Sequence, residues 1–411
     1  MADDVYWDPE HLEEVVSQRA RILGPAVWAA ATPDPRPVIS FAGGLPDIPS
    51  LPGEILARAA RWVVENDEKE ALEYNGTFGP RPLRQALAER STGIEGIPVA
   101  LENVMIVSGS AHGIGIVCET LLDPGDIVLC ESPNFPGSMR TMRTFGAELV
   151  SVPMDGHGLR VDALEVELKK LADSGRRAKF IYTIPNHQNP AGITLPLDRR
   201  QRIVELAQEY RTLILEDDAY GELWFKQAPP PSLYSLSGGD HVIKVSSFSK
   251  ILATGLRMGW TMASPAITSR MASVRYDMGS SAFLGRAIAQ AIRSGDLDRH
   301  VPHLREIYGR KLGRMEAALR EHCGTHCTWT TPDGGFFLWL LLDPGLPAGD
   351  VQRVANKKGV IVGGGPQFFA DGRATNHLRL AFSYVATEDI EEGVNRLAEA
   401  IEEVAAAPAA K

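Results

Sequence analysis

Mostly apolar runs of about four residues recur through the middle of the chain, at Val104–Val107, Ile127–Cys130, Leu149–Val152, Phe180–Thr183, Leu213–Glu216, Val242–Val245 and Trp260–Ala263. Runs without polar alternation suit strands buried on both faces, as in a parallel sheet. Most are separated by stretches of helical periodicity such as Leu197–Tyr210. Strand and helix in alternation predict an α/β fold whose mainly parallel, seven-stranded sheet lies between helices. A long helical region, Ile267 to Leu319, leads away from it. Strands at Thr328–Thr331, Phe336–Leu340 and Leu378–Phe382 follow, with helices at Ala348–Lys357 and Glu388–Val404, and together with the first ~50 residues they predict a smaller α+β domain. The expected division is a large domain over 51–300 and a discontinuous small domain from 1–50 and 301–411, with Ala405–Lys411 as a frayed tail.

Composition narrows the classes of partner. A chain of 411 residues, 44% hydrophobic, is long enough for two domains that share a core. Its 52 acidic and 42 basic residues leave a net charge of −10, which disfavours nucleic acid or an anionic membrane. The opening Met1-Ala2-Asp3-Asp4 has no apolar stretch behind it, and no run approaches ~18 apolar residues, so a cytoplasmic protein is expected. Cys118, Cys130, Cys323 and Cys327 are too scattered for a disulfide framework. The Cys323–Cys327 spacing has no second half elsewhere, and no metal is expected.

Candidate chemistry begins at Ser246-Ser247-Phe248-Ser249-Lys250, followed by Arg257 in Gly255-Leu256-Arg257-Met258-Gly259-Trp260. A lysine amine condenses with a carbonyl only when deprotonated, and a partly buried, cation-flanked site lowers its pKa as required. Small hydroxyls and the paired donors of an arginine suit a phosphate. The run points to an aldehyde cofactor that carries a phosphate; alone, it also fits a surface lysine closing a polar loop.

Three motifs upstream favour the first reading. Ile214-Leu215-Glu216-Asp217-Asp218-Ala219-Tyr220 is an apolar strand delivering acids at its carboxyl end, where open α/β sheets bind ligands. A carboxylate there can pair with a protonated pyridine nitrogen and make the ring an electron sink. Asp217 is the candidate, with Tyr220 in reach of a phenolic oxygen; two acids capping a turn is the plainer alternative. In Tyr182-Thr183-Ile184-Pro185-Asn186-His187-Gln188-Asn189-Pro190-Ala191-Gly192, two prolines and a glycine fix a loop from which Asn189 can aim its amide at a ring oxygen, although Asn-Pro is also an ordinary turn. Val107-Ser108-Gly109-Ser110-Ala111-His112-Gly113 opens a helix through about Leu121, and backbone donors at a helix start bind phosphate.

These motifs, with Ile39 to Asp47, Tyr74 to Arg84 and Leu378-Arg379-Leu380-Ala381-Phe382-Ser383, are similar in order and spacing to the pyridoxal-phosphate enzymes of fold type I. The resemblance covers nearly the whole chain and is to the class I/II aminotransferases, in the subgroup with aminoadipate and kynurenine aminotransferases. It implies that Lys250 forms the internal aldimine with pyridoxal 5'-phosphate and moves the proton between substrate Cα and cofactor C4′. Ser110, Ala111 through its backbone, Ser247, Ser249 and Arg257 would hold the phosphate, with His112 beside them. Phe135 would stack on the ring, Asn189 and Tyr220 bond its oxygen and Asp217 its nitrogen. Arg379 would take the substrate α-carboxylate, with Gly44, Trp28 and Asn189 also on the substrate side. Tyr74 would reach the phosphate of a neighbouring subunit, which implies a homodimer with active sites at the subunit interface.

Departures from the family pattern bear on specificity. Ala111-His112 stands where two glutamines are usual, which makes His112 a second acid/base, a cofactor hydrogen-bond partner or a satisfied buried histidine. Phe135 replaces a common tyrosine. Ala26-Val27-Trp28-Ala29-Ala30 replaces Ser-x-Ile-Arg-Glu, and an apolar Trp28 argues against a second carboxylate on the substrate. Thr254 and Gly363-Gly364-Gly365-Pro366 also depart at the pocket rim. The expected reaction is transfer of the α-amino group of an apolar or aromatic amino acid to a 2-oxo acid. Because the cofactor supplies the carbanion in every case, elimination, replacement, or decarboxylative or oxidative deamination on the same fold is the alternative. A third reading, a transcription regulator that keeps the fold without its chemistry, expects a basic winged-helix segment ahead of it, and the 38 residues before Ile39 are not notably basic.

Overall fold

A computed structural model describes residues 8–23 and 38–406. A short strand, β1 (Ile39–Ser40), precedes the helices Gly53–Asn66, Glu68–Ala71 and Arg81–Glu95. The large sheet follows from β2 (Val104–Val107), β3 (Ile127–Ser132), β4 (Glu148–Asp155), β5 (Gly158–Leu159), β6 (Ala178–Thr183), β7 (Leu213–Asp218), β8 (Val242–Ser247) and β9 (Gly259–Met262). Their spatial order is β2-β9-β8-β7-β6-β3-β4-β5. Strands β8, β7, β6, β3 and β4 are mutually parallel, and β9 is antiparallel to both its neighbours. All seven expected strands are present. The eighth, β5, is a two-residue hairpin partner of β4 and too short to leave a pattern in the sequence.

The unbroken apolar runs are explained by cover on both faces. Val107, Cys130, Tyr182, Leu215 and Val245 turn to one face, in a core with the helices Ser110–Leu121, Pro136–Thr144 and Pro265–Ser273. Ile106, Leu129, Ile181, Ile214 and Val242 turn to the other, into a core continuous with the C-terminal elements. There β10 (Cys327–Thr328), β11 (Phe337–Leu342), β12 (Val360–Ile361), β13 (Gly363–Gly364) and β14 (His377–Ala381) are formed. The antiparallel order is β10-β11-β14-β13, while β12 pairs parallel with β1 and so ties the start of the chain to its end.

The expected continuous helical region is three helices, Pro265–Ser273, Ala282–Arg293 and Asp296–His322. Left-handed backbone at Met278 and Gly279 (φ 55 and 97) and at Gly295 (φ 72) makes the breaks. The last helix, Ile390–Ala406, consumes the start of the expected tail; residues 407–411 lie outside the described ones. No helix among the described residues is long and apolar enough to cross a membrane.

Candidate active site

Strands β6, β7 and β8 run parallel, so their carboxyl ends share one edge, and the segments leaving that edge carry Asn189, Tyr220 and Lys250. The amine of Lys250 donates to the Gly44 carbonyl at 2.7 Å and stands 5.8 Å from the centre of the Tyr220 ring and 5.7 Å from that of Phe336. Burial pulls its pKa down to about 8, assisted by the cations Arg379 and Arg257 and opposed by Asp217. Those four groups therefore act on one centre. A free, nucleophilic amine is within reach of neutral pH.

Alternation along β7 sorts its acids. Asp218 joins a buried cluster, with Lys244 at 2.8 Å and Asn186 at 2.9 Å, and Lys244 also meets Glu95 at 2.8 Å. Asp217 turns to the opposite face, where the Tyr182 hydroxyl lies 2.7 Å from its Oδ2. Burial pushes the Asp217 pKa up to about 6, against the lowering effect of that hydrogen bond.

An anion cradle lies at the start of the helix Ser110–Leu121. Gly109, its N-cap at φ 88, offers no side chain, and with the His112 and Gly113 N–H groups turned to its carbonyl, those of Ser110 and Ala111 are left to a ligand. A Cβ on Gly109 would come within 2.8 Å of Arg257 Nη2, which puts the guanidinium against the same turn. Ser247 Oγ lies 2.9 Å from Ser249 Oγ and accepts from the Ser249 N–H at 3.1 Å. With the Ser247 proton given to Ser249, the Ser249 proton is the one available to an anion.

Arg379 is buried on β14. It donates to Asn189 Oδ1 at 2.9 Å and to the Ala42 carbonyl, with its guanidinium over the rings of Phe337 (4.5 Å) and Phe368 (4.8 Å). Burial lowers its pKa to about 10, so it stays cationic, and its buried Nε has no partner among the described residues. An unpaired buried donor on a cation is a place for a carboxylate. Phe135, half-buried at the N-cap of Pro136–Thr144, is tied to this corner because the Asn134 N–H donates to the Phe368 carbonyl at 2.7 Å.

Not every expected residue faces this centre. The His112 ring turns back on its own loop, where Nδ1 accepts from the Ser108 N–H at 3.0 Å and Nε2 lies 3.9 Å from Asp277. Burial and Arg275 hold its pKa below the usual range, so it is a neutral brace for the cradle. Tyr74 is 85% exposed. Trp28 lies outside the described residues. Other residues at the site were not singled out from sequence. Gln188 Nε2 donates to Glu131 at 3.2 Å and to the Pro133 carbonyl at 2.9 Å, joining the Asn189 loop to the Phe135 loop. Tyr182 was legible as a polar side chain ending an apolar strand; Ser138, 2.8 Å from it, left no signal in the sequence.

The cradle's free donors, the unpaired Arg379 Nε and the deprotonatable Lys250 amine are met by a ligand with a phosphate, a carbonyl and a bound amino acid. Pyridoxal phosphate fits those demands, and with the sheet order they define a fold type I enzyme dependent on it. Comparison with known proteins agrees. Residues 37–397 match the model of the family described as aminotransferase class I and II. Over 368 residues the chain is 37% identical to the aromatic-amino-acid aminotransferase 1 of Thermococcus litoralis, covering 89% of this chain and 88% of that one. It is 35% identical over 370 residues to the 2-aminoadipate transaminase of Thermus thermophilus, covering 89% and 90%. The crystal structure of Pyrococcus horikoshii kynurenine aminotransferase in complex with PMP superposes with a TM-score of 0.90 at 33% identity, covering 96% of this chain and 99% of that one. The chain belongs to the class I and II aminotransferases, pyridoxal-phosphate-dependent transferases of an amino group between an amino acid and a 2-oxo acid.

Proposed function

We propose that the amino donor is an aromatic or large apolar α-amino acid, bound by its carboxylate to Arg379 and Asn189 and by its side chain near Phe337 and Phe368. The observation that carries this reading is the Arg379 guanidinium lying over those two rings, which gives a cation for one carboxylate in an apolar surround. The substrate named for the Thermococcus litoralis relative supports it. Bound pyridoxal phosphate supplies a carbonyl for amine exchange and a ring that takes up electrons as the Cα proton leaves. Ser110, Ala111, Ser249 and Arg257 would hold its phosphate, with Ser247 orienting Ser249 and His112 bracing the loop. Phe135 would cover the ring, Asn189 and Tyr220 would bond its oxygen, and Asp217 would pair with its nitrogen. Lys250 would carry the proton from the donor's Cα, its amine oriented by the Gly44 carbonyl.

The active unit is a homodimer in which Tyr74 completes the partner's phosphate site. Tyr74 and Tyr276, 85% and 84% exposed, support this, with Leu72 and Met278 also exposed. The segments that carry them meet where Gly279 packs on the Gly76 carbonyl. The large unit spans 51–300 and the smaller one 1–50 and 301–411. Four free, buried cysteines suit the cytoplasm.

A panel of donors tests specificity. kcat/KM for phenylalanine, tyrosine or leucine is expected to exceed that for aspartate or glutamate by ~10-fold or more. A preference for a dicarboxylic donor would overturn the assignment. Lys250→Ala is expected to remove turnover while leaving the folded state, by circular dichroism, intact.

A further inference from the structure

We infer that Tyr182 is a positioning residue for Asp217, anchored by Ser138: the two hydroxyls form a one-way chain of donors that keeps the Asp217 carboxylate ionised and directs its free oxygen to the ring nitrogen of pyridoxal phosphate. This rests on the reading of Asp217 as the partner of that nitrogen.

Tyr182 Oη lies 2.7 Å from Asp217 Oδ2 and 2.8 Å from Ser138 Oγ, and all three side chains are buried. A phenol has one hydrogen and an ionised carboxylate only accepts. The Tyr182 proton therefore goes to Asp217, and Ser138 must donate to Tyr182. Burial leaves each donor without a water substitute, so the chain is either complete or costly. The bond takes Oδ2 and leaves Oδ1 for the ring.

Register places the chain. Tyr182 on β6 is paired with Leu215 on β7, and Asp217 is two residues further along the same face. Ser138 descends from the first turn of Pro136–Thr144, immediately after Phe135, so the helix that carries the ring cover also fixes the carboxylate. The charged and titratable groups around Asp217 are Asp218 on its own strand, Glu131 on β3, Tyr220 beyond β7 and Lys250 after β8. Asp218 opposes its ionisation, Lys250 favours it, and the Tyr182 donor adds to the lysine's side, while Asp217 in turn holds the Glu131 pKa up.

The test compares Tyr182→Phe, Ser138→Ala and Asp217→Ala. Two readouts are taken: the dissociation constant of the cofactor-free protein for pyridoxal phosphate, by fluorescence quenching, and the acidic limb of the kcat–pH profile. Losing a hydrogen bond to a charged group should weaken cofactor binding by ~10-fold in Tyr182→Phe and move the acidic limb upward by about one pH unit, because the carboxylate then keeps its proton to higher pH. Ser138→Ala keeps the ring and should shift both in the same direction by less. If Tyr182→Phe lowers only the melting temperature, the residue is mere packing and the inference is wrong. If Tyr182→Phe does not fold, an unshifted acidic limb in Ser138→Ala overturns it as well. Asp217→Ala separates the two claims: undisturbed affinity and rate there would reject the reading of Asp217 itself, whereas a crippled Asp217→Ala beside a normal Tyr182→Phe rejects only the chain.

Discussion

Lys250 is useful because its proton is held badly. Its folded pKa of about 8 lies below the 10.5 of an ordinary lysine, so below pH 8 the folded state carries an amine it would rather release. Between pH 8 and 10.5 the folded protein has lost that proton while the unfolded chain keeps it, and the penalty fades. Lys250→Met should therefore stabilise the cofactor-free protein at pH 7 by ~1–3 kcal/mol, allowing for the lost bond to Gly44. The advantage should shrink as pH rises through 8 in denaturant unfolding; an advantage independent of pH would mean the amine is unstrained. At this scale the sequence was informative for Lys250, Asp217 and Arg379, whose residue types and order announce their chemistry. It was silent on direction. Nothing in Ser-Ala-His tells that the His112 ring folds back onto Ser108.

Elements hold these residues through contacts between distant parts of the chain. Arg200, fully buried on the helix Leu197–Glu209, donates to the carbonyls of Leu195 (2.8 Å), Pro185 (3.0 Å) and Pro230 (3.1 Å) and to Asn186 Oδ1 (2.6 Å), fixing both ends of the loop that presents Asn189. Arg200→Met would strand several buried acceptors and should cost on the order of 3 kcal/mol or more. It should also raise KM for the amino donor, since Asn189 steadies Arg379; an unchanged denaturation midpoint would contradict this. The strands of the large sheet were legible because two covered faces demand unbroken apolar runs. Strands β5, β12 and β13, of two residues each, were not, because so short a span has no periodicity. Pairings such as Tyr182 with Ser138 depend on sheet register and helix placement, which a linear pattern does not contain.

For the whole molecule, the proposal that Tyr74 serves a neighbouring subunit predicts complementation. In a dimer of one Lys250→Ala subunit and one Tyr74→Ala subunit, one site has both an intact lysine and an intact tyrosine. Mixing the two weak variants under subunit exchange should restore activity above either alone; no restoration would place Tyr74 outside the site. The central claim, that this assembly moves an amino group rather than diverting the same carbanion, has a more direct test. The cofactor-loaded enzyme is titrated with phenylalanine and no 2-oxo acid while cofactor absorbance and product mass are followed together. Stoichiometric conversion of the cofactor to its pyridoxamine form, with one equivalent of 2-oxo acid released and turnover then halted, is the expected result. Continued turnover without an acceptor, releasing ammonia, carbon dioxide or a side-chain fragment, would contradict it.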